Sequence, residues 1–165
     1  MVKIVLPTKK YENSYYELID SAKKNYEYEQ LGNARLKDNE TFLDMLKRLS
    51  ERRKGININE NDVASEVYFI INNDIIVGIL DLRFRLNNNY FNRLGHITIF
   101  IKHEERNKGY ATEALKLAKR KYSQKYFSNI LVSCYTDYYA FKRVIEKNGG
   151  ILKSTFLDKI LTSPS

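Results

Sequence analysis

The sequence predicts a mixed α/β fold of the α+β kind: a mostly antiparallel central sheet, one parallel β-α-β unit, and helices flanking the sheet. Three observations carry this expectation. Residues 66–87, EVYFIINNDIIVGILDLRFRLN, are two β-rich runs joined by NND, whose side chains mimic turn bonds and tolerate positive φ, so they read as a hairpin. GHITIFI, GYATEALKLAKRKY and NILVSCY read as strand, helix and strand, which makes a parallel crossover. Two amphipathic helical segments precede both.

In chain order, VKIVLP reads as a short first strand ended by Pro7. Thr8 then offers a cap for a helix on which Tyr11, Tyr15, Leu18, Ile19, Ala22 and Tyr26 recur at helical spacing. After the polar LGNARLKDNE, Thr41 is placed to cap a second helix with Phe42, Met45, Leu46 and Leu49 on one face, and Gly55 marks its end. The hairpin follows, and NNNYFNR reads as a loop leading to the strand GHITIFI. Past the crossover, YAFKRVIEKNGG reads as a short helix with Gly149 or Gly150 as a left-handed cap, and ILKSTFLD as the last strand. The order is therefore β, α, α, β, β, β, α, β, α, β.

Length and composition bound the rest. At 165 residues and 43% hydrophobic, the chain fits one compact domain, 1–165, with no internal repeat or flexible linker. A net charge of +8 and a pI near 9.4 suit an anionic partner, because a positive surface concentrates phosphates around it. Nucleic acid, an acidic membrane surface and a polyphosphate cofactor all satisfy that measure. The single cysteine, Cys134, allows neither a disulfide framework nor a zinc site of clustered thiolates, and a reducing cytoplasm is the simplest compartment. No segment approaches the ~20 apolar residues that span a bilayer, and MVKIVLPTKK is too short an apolar run for a signal peptide.

The segment RNKGYATEALKLAKRKY enters its helix through a glycine rather than a polar cap. Free amides at a helix entrance, aided by the macrodipole, bind phosphate without side-chain ligands, and Gly109 would let a diphosphate approach the backbone. Ala111 keeps the first turn uncluttered, and Arg106 and Lys108 add cations. Alternatively, Gly109 only permits a tight strand-to-helix turn and the basic residues are solvated. The sequence contains neither G-x-x-x-x-G-K-[ST] nor G-x-G-x-x-G with an acidic partner, which turns the reading away from a nucleoside triphosphate or dinucleotide.

Arg106, Gly109 and Ala111 match [QR]-x-x-G-x-[GA], and the segment resembles the acetyl-CoA signature of the GNAT superfamily of N-acyltransferases. The resemblance extends over nearly the whole chain: LRFRLNNNYFNRLGHITIFIKHEERNKGYATEALKLA followed by VIEKNGG is similar to a bacterial branch of predicted acetyltransferases. It implies that the backbone at Ile99, Phe100 and Ile101 pairs with the pantetheine arm of acetyl-CoA like an added strand. It also implies that Asn107, Lys108, Gly109, Tyr110, Ala111 and Thr112 hold the pyrophosphate beside Arg106. Physical chemistry supports both, since an amide-bearing arm satisfies an open strand edge and a diphosphate suits a helix entrance.

The chain departs from the family pattern at three positions. Tyr138 stands where an Asn is usual, Phe141 where a small residue is usual, and Ile145 where a Tyr often protonates the leaving thiolate. His103 replaces a usual Pro, and the chain ends at KILTSPS where relatives continue into a seventh strand, so the last strand is expected to be missing. An edge left open in this way would favour pairing with a second copy as a homodimer.

Catalytic candidates are few. His96 opens the fourth strand and could titrate near neutrality, Glu66 could reach the substrate side through water, and Tyr138, with Tyr135 and Tyr139 nearby, could replace the missing acid. Each also has a purely structural reading, as do Glu104 and Glu105 beside an anion site, and Cys134 reads as inert core.

The leading functional expectation is transfer of an acetyl group from acetyl-CoA to a primary amine of a small molecule or peptide. The second is an acyl-CoA sensor without turnover. The third, disfavoured, is a nucleic-acid module built on KLAKRKYSQKYF, whose helix needs Leu115, Leu117, Ala118 and Tyr122 for its buried face and leaves the cations as a solvated one. The acceptor would be chosen by residues 22–39 and 87–93.

Overall fold

A computed structural model describes residues 1–123, 129–133, 139–154 and 159–162. Seven strands form one sheet: β1 (Lys3–Val5), β2 (Glu66–Asn72), β3 (Ile75–Leu82), β4 (Ile97–Ile101), β5 (Ile130–Ser133), β6 (Ile151–Ser154) and β7 (Lys159–Thr162). Their spatial order is β1-β2-β3-β4-β5-β7-β6, and every pair is antiparallel except β4–β5.

The helices are α1 (Glu12–Lys24), α2 (Phe42–Arg53), α3 (Asn88–Arg93), α4 (Tyr110–Ser123) and α5 (Tyr139–Lys147). Alternation along the strands sends side chains to opposite faces. Val67, Phe69, Ile79 and Phe100 join the buried residues of α1 and α2, whereas Tyr68, Ile70, Leu80 and Ile97 join those of α4 and α5. The result is three layers with a core on each side of the sheet. Among the described residues, no helix is long and apolar enough to cross a membrane.

Local signals account for much of this. Thr41 accepts from the Asp44 amide while the Asp44 carboxylate accepts from the Thr41 amide, a capping box that starts α2. Asn73 and Asp74 both take positive φ, at 51° and 60°, which is the backbone of a two-residue hairpin turn. In the β2–β3 ladder Ile70 faces Gly78 and Ile71 faces Ile76, so Val77 is bulged out. Gly78 is required beside it, because a Cβ there would stand 2.3 Å from the Phe100 carbonyl oxygen.

Four expectations are corrected. The Thr8 side chain makes no cap bond; a 3-10 turn at Lys9–Tyr11 intervenes before α1. Tyr26 is not on the helical face, since α1 ends at Lys24 and Tyr26 takes φ 57° and is exposed. NNNYFNR forms α3 rather than a loop, because the Asn87 side chain caps it by accepting from the Tyr90 amide at 3.0 Å. The last strand, expected to be missing, is present: β7 inserts between β5 and β6 and pairs with β5 from Ile130↔Thr162 to Ser133↔Lys159. KILT is too short for a local signal, and its pairing is set by the two strands that receive it.

Candidate cofactor and acceptor site

Arg83 N–H donates to the His96 carbonyl at 2.7 Å and Lys102 N–H to the Val77 carbonyl at 2.8 Å, which fixes the parity of β4. Thr98 and Phe100 turn their backbone groups to Asp81 and Ile79 of β3, and Ile99 and Ile101 turn theirs the other way, toward β5. On that side, among the described residues, β4 and β5 are in register at Ile97↔Val132. Phe100 therefore does not share the open edge expected of it; its backbone is already used within the sheet.

Beyond β4 the chain makes a 3-10 turn at His103–Glu105 and enters α4. Asn107 and Gly109 take left-handed backbone, φ 63° and 84°. The first helical bond is Glu113 N–H to the Gly109 carbonyl at 3.2 Å, and among the described residues no amide from Asn107 to Thr112 has an acceptor. Six consecutive amides at the positive end of a helix form an anion cradle. A Cβ on Gly109 would meet nothing within 4 Å, so its approach is open. A diphosphate fits the donor set.

The side chains around the cradle mostly hold it in shape. Arg106, expected to face the phosphates, instead donates through Nε to the Ile101 carbonyl at 3.0 Å and through Nη2 to Glu27 at 2.6 Å, with its guanidinium over the Phe100 ring. Ser21 donates to Glu104 at 2.6 Å, which lowers the Glu104 pKa. Asn72 donates to the Tyr110 hydroxyl at 2.9 Å and ties the helix start to β2. Lys108 is exposed and pairs with Glu105 at 2.9 Å. Ala111 and Thr112 complete the first turn of α4. Glu27, Ser21 and Asn72 carried no sequence signal, since each acts across the fold.

His96 is committed to structure. Its ring Nδ1 accepts the Leu131 amide at 2.9 Å while its own amide donates to the Leu131 carbonyl at 2.7 Å, so one residue supplies both partners of a strand position. An accepting Nδ1 puts the neutral ring's proton on Nε2, which faces the Tyr122 hydroxyl at 3.3 Å. Burial, and secondarily the Arg83 charge, lower its pKa to about 4. It offers no base near neutrality.

Glu66 accepts from the Tyr68 hydroxyl at 2.7 Å and lies opposite Leu82, which pairs with Ile97, at the end of the sheet away from the cradle. Tyr138, Tyr135 and Cys134 lie outside the described residues. Ile145 is wholly buried among the α4–α5 core. Nor is the basic face of α4 all solvated: Lys119 is buried and donates to the Asn148 carbonyl at 2.6 Å, and Tyr122 is buried, so neither is presented to a nucleic acid.

On the opposite face of β3 and β4 from α4, a narrow cleft of about 50 Å³ lies between the 3-10 segment Tyr28–Ala34 and the strands. It borders Asn33, Asp81, Thr98 and Phe100, and a groove of about 370 Å³ shares Gly32 and Asn33 with it.

Comparison with known proteins agrees with this geometry. The family described as "Acetyltransferase (GNAT) domain" matches residues 12–151. A sequence comparison with curated proteins finds no match. Among solved structures, the microcin C7 self-immunity acetyltransferase MccE, in complex with acetyl-CoA and AMP, superposes with a TM-score of 0.64 at 15% identity, covering 97% of this chain and 89% of that one. The ribosomal L7/L12 α-N-protein acetyltransferase RimL in complex with coenzyme A gives 0.62 at 13% identity, covering 97% and 90%. An N-acetyltransferase from Staphylococcus aureus Mu50 gives 0.60 at 13% identity, covering 100% and 99%. At such identities these structures establish the shared fold, and the family match over residues 12–151 establishes that the chain belongs to the GNAT acetyltransferases, as an acetyl-CoA-dependent acyltransferase.

Proposed function

We propose that the chain is an N-acetyltransferase that moves the acetyl group of acetyl-CoA directly to a primary amine of a small molecule or peptide. The observation that carries this reading is the run of open amides from Asn107 to Thr112 beneath the empty approach at Gly109. These amides hold the diphosphate, and the backbone groups of Ile99 with the Ile101 amide accept the pantetheine arm as a strand accepts a neighbour, the Ile101 carbonyl being held by Arg106. Acetyl-CoA supplies the acetyl group as a thioester.

The acceptor reaches β4 from the α1–α2 side, where the cleft over Asp81 and Thr98 opens into the groove beside Gly32. Names of structural neighbours include a ribosomal protein α-N-acetyltransferase and an aminoglycoside acetyltransferase, so amines of both sizes fit this fold. Release of free thiol from acetyl-CoA across a panel of amines and peptides tests the reading. The alternative, an acyl-CoA sensor, draws on Ile145, whose complete burial leaves no acid where the family often has one. A sensor binds coenzyme A and releases no thiol with any amine.

A further inference from the structure

At the cleft between the Tyr28–Ala34 segment and the sheet, one buried ion pair holds a polar side chain on each wall. Arg83, 1% exposed, donates through Nε to the Gly95 carbonyl at 2.8 Å and places Nη1 3.2 Å from Asp81 Oδ2. On the segment's side, Asn33 donates through Nδ2 to that same Asp81 oxygen at 2.9 Å. On the side of β4, Thr98 Oγ1 lies 3.5 Å from Arg83 Nη2. A carboxylate only accepts, so Asp81 fixes which way the Asn33 amide is turned, with its nitrogen toward Asp81 and its oxygen away from it. A guanidinium only donates, so Arg83 meets Thr98 at a lone pair of the hydroxyl oxygen.

Asn33 and Thr98 are both half-buried, so a group arriving from solvent reaches them. Among the described residues, Asn33 is also the one side chain common to the linings of the cleft and the larger groove, where it stands beside Gly32. Gly32 takes φ 57° and ψ −126°, a backbone that glycine adopts freely and other residues do not, and a Cβ there would meet nothing within 4 Å. The way from groove to cleft is therefore open on that side. Leu31, Ile79 and Phe100 make the cleft's other walls apolar, and its volume of about 50 Å³, against the ~30 Å³ share of one water, suits a nitrogen on one or two carbons in line rather than a branched carbon. A neutral primary amine has two N–H bonds and one lone pair. The Asn33 amide oxygen and the Thr98 hydroxyl oxygen can accept the two N–H bonds and leave the lone pair unengaged. Neither is charged, so together they do not favour the ammonium form as a carboxylate would.

We propose that Asn33 and Thr98 seat the acceptor nitrogen from opposite walls of the cleft, and that the narrow apolar space between them selects an amine on an unbranched stem, such as a lysine side chain, over a peptide α-amine. This rests on the acetyl-transfer reading above and names the acceptor class for the same site. Thr98 precedes Ile99, whose backbone faces the proposed cofactor arm, so the amine is held on the strand where the thioester arrives. The body that carries the stem lies in the groove of about 370 Å³, whose lining includes Glu29, Arg35, Lys37 and Asp38 and so offers both charges to a peptide.

Binding of three small probes in the presence of coenzyme A at pH 8, followed by calorimetry or ligand-detected NMR, tests the seat without requiring turnover. They are Nα-acetyl-lysine N-methylamide, alanine N-methylamide, whose amine sits on a branched carbon, and Nα-acetyl-norleucine N-methylamide, which has the stem without the nitrogen. The wild-type chain should bind the capped lysine at least about tenfold more tightly than each of the others. Asn33→Ala and Thr98→Val should each lose at least about fivefold toward the capped lysine, the worth of one hydrogen bond, and bind the capped norleucine as the wild type does, which a general distortion of the groove would not allow. The rise in melting temperature caused by coenzyme A should be unchanged in both, which also shows that they fold. Should Asn33→Ala not fold, Thr98→Val, which keeps the side chain's shape and the strand pairing, carries the test. Absence of capped-lysine binding, equal binding of alanine methylamide or capped norleucine, or unchanged capped-lysine affinity in a folded variant overturns the proposal. Capped-lysine binding that depends on both residues, with no thiol released when acetyl-CoA replaces coenzyme A, would overturn the acetyl-transfer reading and leave the seat standing.

Discussion

Arg106 Nη2 lies 2.6 Å from Glu27 Oε2, joining the loop before α4 to the turn after α1 across 79 residues of sequence. The two carry opposite charges in a partly buried setting, and Arg106 also holds the Ile101 carbonyl. The guanidinium sets the angle at which β4 hands the chain to the cradle.

Glu27→Gln keeps the shape and removes the charge. Loss of a partner in such a bond costs ~1–3 kcal/mol. At roughly 2–4 °C per kcal/mol for a chain of this size, the melting temperature should fall by several degrees. Affinity for coenzyme A should fall about three- to tenfold, because the loop between Ile101 and Gly109 loses its brace. Calorimetry with and without coenzyme A measures both; unchanged affinity would make the pair purely a fold contact.

Gly109→Val places a β-branched side chain where φ is 84° and where nothing stands within 4 Å. The left-handed backbone costs ~1–2 kcal/mol of stability for a non-glycine residue. Cofactor binding should suffer more, with Kd for coenzyme A rising at least tenfold, because the methyls occupy the approach to the amides. A collapse in melting temperature with normal affinity would show that Gly109 serves the turn alone.

Coenzyme A itself should stabilise the fold, since a ligand bound by the native state alone adds RT ln(1 + [L]/Kd), about 2.7 kcal/mol at a hundredfold excess over Kd. An unchanged melting temperature at millimolar coenzyme A would contradict the site.

His96 makes stability depend on pH. Its folded pKa, about 4, lies below the ordinary value of 6.5, so the unfolded chain takes up the proton first. Its contribution is full above pH 6.5 and is lost as pH falls from there through 4, a total of up to ~3 kcal/mol. His96→Gln should lower stability at pH 7.5 and flatten the melting-temperature profile between pH 7 and 4.5. A profile as steep as wild type would place the acid sensitivity elsewhere.

Arg52, 5% exposed, holds both oxygens of Asp62, at 2.7 and 2.9 Å, and donates to the Ser65 hydroxyl at 2.7 Å; Tyr90 also donates to Asp62. The guanidinium keeps the Asp62 carboxyl well below the usual carboxylate range. Removing one member of a buried pair costs ~3–5 kcal/mol, so Arg52→Met should be strongly destabilised by urea titration, and Asp62→Asn less so because it keeps an acceptor. Loss of under about 1 kcal/mol in Arg52→Met would show that the network is solvated in solution.

What the sequence determined by itself is what neighbours in sequence decide. The capping box of Thr41 and Asp44 spans three residues, the hairpin turn at Asn73 and Asp74 two, and the glycine before α4 lies within the turn it opens. Steric and hydrogen-bonding rules act at that range whatever the rest of the chain does, so the hairpin, the crossover and the glycine-led entry to α4 were legible. Tertiary structure alone decided the rest. His96 is structural because Leu131, 35 residues on, offers both backbone groups to it, and Arg106 is a brace because Glu27, 79 residues earlier in the chain, reaches it just past α1. β7 exists because β5 and β6 present it with two unpaired edges, and the Asn33 amide is fixed in orientation because Asp81, 48 residues on, accepts from it. Hydrogen bonds and burial between distant segments have no period or spacing in the sequence, and they settle which polar side chains support the fold and which face a substrate.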